Sequence, residues 1–209
     1  MDTLDAFDAV IVQDAPPPGD ALAEYARSGG GVLLVGKPSA PLERVSPVSA
    51  RPDLRVAVVL GVDASGSMNQ GDKWNLVVAA VEGVKRSFEA DDTVLVMTFA
   101  EEARTLASVD ELRKVYPSGG TRVARGIGEG RKVLGPLKAG RKHIILMTDG
   151  EVSSAETKEE RVREFEKLGE IGLTIVTTNR EVDVQPNLRI GDWKGLEAAL
   201  EKIVAAIQD

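Results

Sequence analysis

Residues 55–68 read R-V-A-V-V-L-G-V-D-A-S-G-S-M. From Val56 to Val62 the run is apolar and rich in β-branched side chains, with no polar residue interrupting it. A strand exposed on one face alternates apolar and polar; an unbroken run is expected where both faces of a parallel sheet are covered. The run stops at Asp63, and hydroxyls follow on alternate residues, Ser65 and Ser67. Three hard oxygen donors at the exit of a buried strand admit two readings: ligands of a divalent cation, or the start of a well-capped helix.

Working outward, the rest of the chain supplies the partners such a strand needs. A helix is expected from about Lys73, where Val77, Val81, Val84 and Phe88 make one apolar stripe. T-V-L-V-M-T-F-A (93–100) is the next strand, A-R-T-L-A-S (103–108) a short edge strand, and a short helix falls near Val109 to Val115. Val123 to Leu134 reads as a helix despite Gly126, Gly128 and Gly130, whose lack of side chains suits close approach to a sheet. K-H-I-I-L-M-T-D-G (142–150) and L-T-I-V-T-T (173–178) are further buried strands, separated by a charged surface helix, and Leu188 to Ile190 adds a last short one. Asp192 is placed to cap a final helix with Trp193, Leu196, Leu200, Ile203 and Ile207 on one face. Strands alternating with helices in this way specify an α/β fold, a Rossmann-like, doubly wound, mostly parallel sheet with helices on both faces.

Ahead of this lies a strand-helix-strand segment, residues 1–37, built on D-A-V-I-V-Q-D and G-G-G-V-L-L-V-G. Residues 38–53 hold Pro38, Pro41, Pro47 and Pro52 and read as an extended linker. The main domain is then expected over 54–209.

Composition narrows the function classes. With 209 residues, 43% hydrophobic and 28% charged, the chain is an ordinary globular one. Its net charge of -7 argues against nucleic acid or an anionic membrane as partner, since phosphate binding needs a basic face. No cysteine is present, which excludes disulfides, thiolate zinc sites and a cysteine nucleophile. No stretch approaches the roughly 18 apolar residues of a membrane span, and the opening M-D-T-L-D-A-F-D is acidic where a signal peptide is basic, so a soluble chain not exported by that route is expected.

In doubly wound sheets ligands bind at the carboxyl ends of the strands. Three loops there carry chemistry: Asp63, Ser65 and Ser67 after the first strand, Thr121 in S-G-G-T at the mouth of a helix, and Asp149 after the strand ending at Thr148. Two carboxylates and three hydroxyls, without histidine or sulfur, suit magnesium or manganese and not zinc or copper. Magnesium keeps exchangeable waters, and a carboxylate from a partner protein can replace one. The bland alternative is that Ser67 caps a helix while Gly119, Gly120 and Asp149-Gly150 only turn the chain.

D-A-S-G-S-M after an apolar strand, G-G-T, and I-L-M-T-D-G at the end of a further strand together resemble the metal-ion-dependent adhesion site of the von Willebrand factor A domain family. The resemblance implies a Rossmann-like domain over roughly 54–209 that binds proteins through magnesium, with Asp63, Ser65, Ser67, Thr121 and Asp149 as the metal set. Against that pattern, N-R-E-V-D-V-Q-P-N-L-R-I-G-D (179–192) is too short for the helix the family usually has before its last strand, which is expected to leave part of one sheet face uncovered. The N-terminal segment is similar to the end of a glutamine-amidotransferase-like domain that precedes this module in some large bacterial membrane proteins. Without a cysteine it reads as a remnant or as a structural addition, and an isolated strand-helix-strand's inability to bury both faces favours the addition.

The remaining features are weaker. G-P-L-K-A-G-R-K (135–142) lacks the Lys-Ser/Thr pair of a phosphate loop and precedes a strand. His143, the single histidine, opens a strand at the end away from the loops above and does not suit a catalytic triad. Arg122 and Arg125 either draw an acidic ligand toward Thr121 or are solvated charges. Three functions compete: a binding module using magnesium and an acidic partner; a magnesium-dependent phosphohydrolase with Asp63 as nucleophile; and a scaffold subunit working with an ATPase. The second needs an acid/base beside its nucleophile, and Ser65 stands where a second carboxylate would.

Overall fold

In the computed structural model, residues 9–13, 24, 25, 28, 31–35, 55–178, 182–184 and 186–208 are described. The chain divides into two units, Met1–Pro52 and Asp53–Asp209. In the first, β1 (Ala9–Gln13) and β2 (Gly31–Val35) pair in parallel as a two-stranded sheet. Apart from a few residues such as Glu24 and Tyr25, the helix expected between them lies outside the described residues, as does the proline-rich stretch 38–53.

The second unit is built on a six-stranded sheet in the order β5-β4-β3-β6-β7-β8. β3 (Val56–Asp63) lies between β4 (Thr93–Phe99) and β6 (Arg141–Thr148), parallel to both. β5 (Ala103–Leu106) is an antiparallel edge, while β7 (Gly172–Thr177) and β8 (Asn187–Arg189) extend the other side in parallel. Every residue of β3 is buried, and its alternating sides feed two cores. Val58, Leu60 and Val62 pack with α1 (Lys73–Lys85) and α4 (Leu196–Gln208), while Ala57 and Val59 pack with α2 (Val123–Leu134) on the opposite face. This is why the strand's sequence does not alternate: both faces are dry.

Two of the α2 glycines have a visible purpose. A Cβ at Gly126 would stand 3.0 Å from Phe99 Cγ and one at Gly130 2.8 Å from Ile144 Cδ1, so the helix rests directly on the sheet through these two positions. Gly128 instead faces α3 (Lys158–Glu166), which packs on the outside of α2. Asp192 caps the 3-10 turn Trp193–Gly195 that leads into α4, accepting from the backbone N–H groups of Lys194 and Gly195.

The expectation of an uncovered sheet face is corrected. No helix stands between β7 and β8 among the described residues, but Val182 and Val184 are buried in the same core as α2. Asn187 fastens them by donating to the Val182 carbonyl at 2.8 Å and accepting from the Val182 N–H at 3.2 Å. Two valines on a pinned loop thus do the covering work of a helix. Among the described residues no helix is long and apolar enough to cross a membrane.

Candidate functional site

The sheet switches winding direction about β3: the chain passes from β3 through α1 to β4 on one side and returns through α2 to β6 on the other. The carboxyl ends of β3 and β6 therefore open into the crevice where such folds bind ligands. Asp63 ends β3 and is fully buried. Its Oδ1 accepts from the Ser65 N–H at 2.8 Å, which turns the chain sharply into a 3-10 helix, Gly66–Asn69. Its Oδ2 accepts from Thr148 Oγ1 at 2.6 Å and from Thr121 Oγ1 at 3.1 Å. One carboxylate thus gathers all three loops.

That carboxylate is held at a cost. Burial pushes the Asp63 pKa up to about 6; hydrogen bonds from Thr148 and Ser65 oppose the rise, and the nearby Asp149 charge adds to it. A buried carboxyl perturbed in this way is a candidate functional group.

Ser65 and Ser67 decide between the two readings of the opening motif. Neither side chain caps a helix: the 3-10 helix has Ser65 at its N-cap without a side-chain bond, and α1 has Asp72 there, also without one. Instead the two hydroxyls lie 3.1 Å apart and bond to each other. Capping does not account for these serines.

The second loop reaches the site through backbone contacts. The Gly66 N–H donates to the Gly119 carbonyl at 2.9 Å and the Ser118 N–H to the Ala64 carbonyl at 2.8 Å, joining the loop to the Asp63 turn. Gly119 takes a φ of +77°, open to glycine at little cost, and Thr121 then forms an isolated bridge with Val152. The first N–H groups of α2 need an acceptor, and the N-cap residue Arg122 supplies no side-chain oxygen to the first two. Buried Glu156 does, accepting from the Val123 and Ala124 N–H groups at 3.0 and 2.7 Å. Arg161 neutralises Glu156 at 3.2 Å and reaches Asp183 at 2.6 Å. The loop that carries Asp149 is thereby stapled to the start of α2, two residues after Thr121.

Asp149 follows β6 and is buried. Its Oδ1 accepts from the Glu151 N–H at 3.2 Å, and its Oδ2 is 2.9 Å from Lys73 Nζ. Lys73 also donates to the Ser67 carbonyl at 3.1 Å, so a lysine at the start of α1 bridges the first and third loops.

The geometry therefore brings Asp63 and Thr121 into direct contact, pairs Ser65 with Ser67, and links Asp149 to the Ser67 turn through Lys73. Among the described residues no group of three or more His, Cys, Asp or Glu converges, so a cation here would rest on hydroxyls as much as on carboxylates. Those donors fit a hard divalent ion. Lys73, Thr148 and Glu156 were not singled out from sequence. Thr148 had a signal, as the hydroxyl that ends a buried strand immediately before Asp149; Lys73 and Glu156 had none, being ordinary charges on stretches that read as helix. His143 stands apart, near the start of β6, within 2.9 Å of Thr174 Oγ1, and burial lowers its pKa to about 4. Arg122 lies 3.6 Å from Glu160 and Arg125 4.0 Å from Glu102.

Residues 58–151 match the family model of the von Willebrand factor type A domain. A von Willebrand factor type A protein from Catenulispora acidiphila superposes with a TM-score of 0.65 at 17% identity, covering 74% of this chain and 43% of that one. Proximal thread matrix protein 1 from the mussel byssus, with a zinc-occupied MIDAS motif, gives 0.60 at 16% identity, covering 96% and 67%. The ArnB paralog VWA2 from Sulfolobus acidocaldarius gives 0.57 at 17%, covering 70% and 44%. This chain thus spans less than half the length of the Catenulispora and Sulfolobus proteins. No curated protein sequence matches the chain. At these identities the likeness is one of fold.

Proposed function

We propose that residues 54–209 form a von Willebrand factor type A domain and that it is a divalent-cation-dependent protein-binding module. Asp63, Ser65, Ser67, Thr121 and Asp149 hold magnesium or manganese, and a carboxylate from a partner protein completes the coordination. The observation that carries the reading is the Ser65–Ser67 pair: two hydroxyls free of capping duty, beside a buried, proton-hungry carboxylate. The zinc-occupied MIDAS motif of the mussel protein supports a divalent metal on this fold. The choice of magnesium or manganese rests on the donor set, which is all oxygen. When bound, the metal supplies an electrophilic centre able to take an acidic ligand; the protein fixes its donors through the Asp63 and Glu156 hydrogen bonds.

A partner has somewhere to dock. Gly66 is exposed beside half-buried Ser67, and a cavity of about 330 Å³ lined by Tyr116, Ser118, Gly119 and Glu101 adjoins the loops. Tyr116 is 76% exposed, with its hydroxyl accepting from Asn69 Nδ2 at 3.1 Å. An aromatic ring held at the rim of a site is the kind of anchor protein interfaces use.

The module is read as non-catalytic. Asp63 is buried with both oxygens accepting hydrogen bonds, a poor arrangement for a nucleophile, and Ser65 takes the place of an acid/base carboxylate. The N-terminal unit is read as without amidotransferase chemistry, because these residues hold no cysteine, and as an addition to the main domain because an isolated strand-helix-strand cannot bury both faces. The test is thermal unfolding of the metal-stripped chain with rising magnesium or manganese, beside Asp63→Ala. A ligand of the folded state stabilises it by about 2.7 kcal/mol at a hundredfold excess over Kd. The parent's Tm rises and the variant's does not; a parent unresponsive at about 10 mM metal contradicts the reading.

A further inference from the structure

We infer that Lys73 is a tethered cation that competes with the divalent ion for Asp149, so that it stabilises the metal-free site and sets the metal affinity. This inference rests on the metal-binding reading above. Four observations carry it. Lys73 Nζ lies 2.9 Å from Asp149 Oδ2 and 3.1 Å from the Ser67 carbonyl, spanning two of the three candidate ligand loops. The Asp149 side chain is 2% exposed, so this ammonium is the counter-charge that the burial of Asp149 calls for. The other oxygen, Oδ1, already accepts from the Glu151 N–H, leaving Asp149 no oxygen without a partner. Finally, the Lys73 side chain remains 26% exposed at the first turn of α1, so its flexible stem has solvent to swing into.

A cation that takes Asp149 directly either shares the carboxylate with the ammonium, against the repulsion between them, or displaces it, and a mobile ammonium yields more readily than the Glu151 N–H. Even where the metal meets Asp149 through water, a fixed positive charge at that carboxylate opposes a second one. Lys73 therefore keeps a buried acid balanced when metal is scarce and releases it when metal is abundant. Without the ammonium the site would fill at a lower metal concentration; with it, that threshold is raised.

The test is Mn²⁺ binding to the full chain, followed by electron paramagnetic resonance, for the parent, Lys73→Met and Lys73→Arg, with metal-free Tm measured alongside. Lys73→Met is expected to bind Mn²⁺ at least about tenfold more tightly while its metal-free Tm falls, and Lys73→Arg to behave as the parent, since it keeps the charge. A lysine with only a structural role would move the affinity the other way, because loosening the loops weakens their grip on metal. If the parent binds Mn²⁺ and Lys73→Met binds no more tightly, the competition is refuted while the metal site stands. If neither protein binds Mn²⁺, the metal-binding reading falls and the competition with it.

Discussion

Replacing Asp63 with asparagine should make the metal-free protein more stable at neutral pH. In the fold, burial raises this carboxyl from an ordinary 3.8 to about 6. The folded chain therefore holds that proton more tightly than the unfolded chain, and between 3.8 and about 6 it binds more protons. Stability from this group consequently falls as pH rises through that window, and the cost is complete above about 6. At about 1.4 kcal/mol per pKa unit the gap corresponds to about 3 kcal/mol. The Asp63→Asn change removes the charge and keeps the shape: the amide oxygen can accept from the Ser65 N–H, and the amide nitrogen can donate to the hydroxyls of Thr121 and Thr148. Allowing for imperfect rearrangement, Asp63→Asn should gain about 2 kcal/mol at pH 8 without metal. Urea unfolding of both proteins from pH 4 to 8 is the assay, and the difference between them cancels every other titrating group. The gap should shrink as pH falls through about 6 and reverse to about 1 kcal/mol in the parent's favour below 3.8, where only the imperfect rearrangement remains. Excess magnesium should stabilise the parent alone and narrow or reverse the order. A variant less stable than the parent at pH 8, or a gap that does not change with pH, refutes the reasoning.

Other perturbations probe the neighbouring contacts. His143 is kept neutral by burial, with its pKa lowered to about 4, so its contribution to stability is full above about 6.5 and lost as pH falls toward 4. Being the single histidine, it gives one imidazole signal by NMR, which should titrate near 4; a midpoint near 6.5 would show an open environment. Glu156→Gln leaves one α2 N–H without an acceptor and Arg161 with less counter-charge, and should cost about 2 kcal/mol in urea unfolding while weakening metal binding. Gly130→Ala should destabilise by about 1 kcal/mol despite its better helix propensity, because the new methyl meets Ile144. Gly128→Ala, which meets only the end of the Glu164 side chain, should stabilise by up to about 1 kcal/mol, and equal effects at the two positions would contradict the packing of α2.

The parts of the fold legible in the sequence are those with a local cause. β3 reads as a doubly covered strand because burial of both its faces demands an unbroken apolar run, and α2 keeps its helical reading because Gly126 and Gly130 repeat at the spacing of one face. The three loops stand out because a doubly wound sheet concentrates function at strand ends. What stays hidden depends on distance in the chain. Lys73 meets Asp149 across 76 residues and Glu156 caps a helix beginning 33 residues before it, and nothing local marks either charge as different from its solvated neighbours. The covering of the β7–β8 side by Val182 and Val184 escapes sequence reading for the same reason, since two valines in a polar loop carry no periodicity.

The central claim is that three loops hold one divalent cation. Its most direct test is the stoichiometry of Mn²⁺ bound to the full chain at saturation, measured for the parent, Asp63→Ala and Asp149→Ala, with circular dichroism to establish that all three are folded. A single bound ion is expected in the parent and none in either variant at the same concentration. A parent that binds no manganese, or folded variants that bind it as the parent does, would contradict the claim.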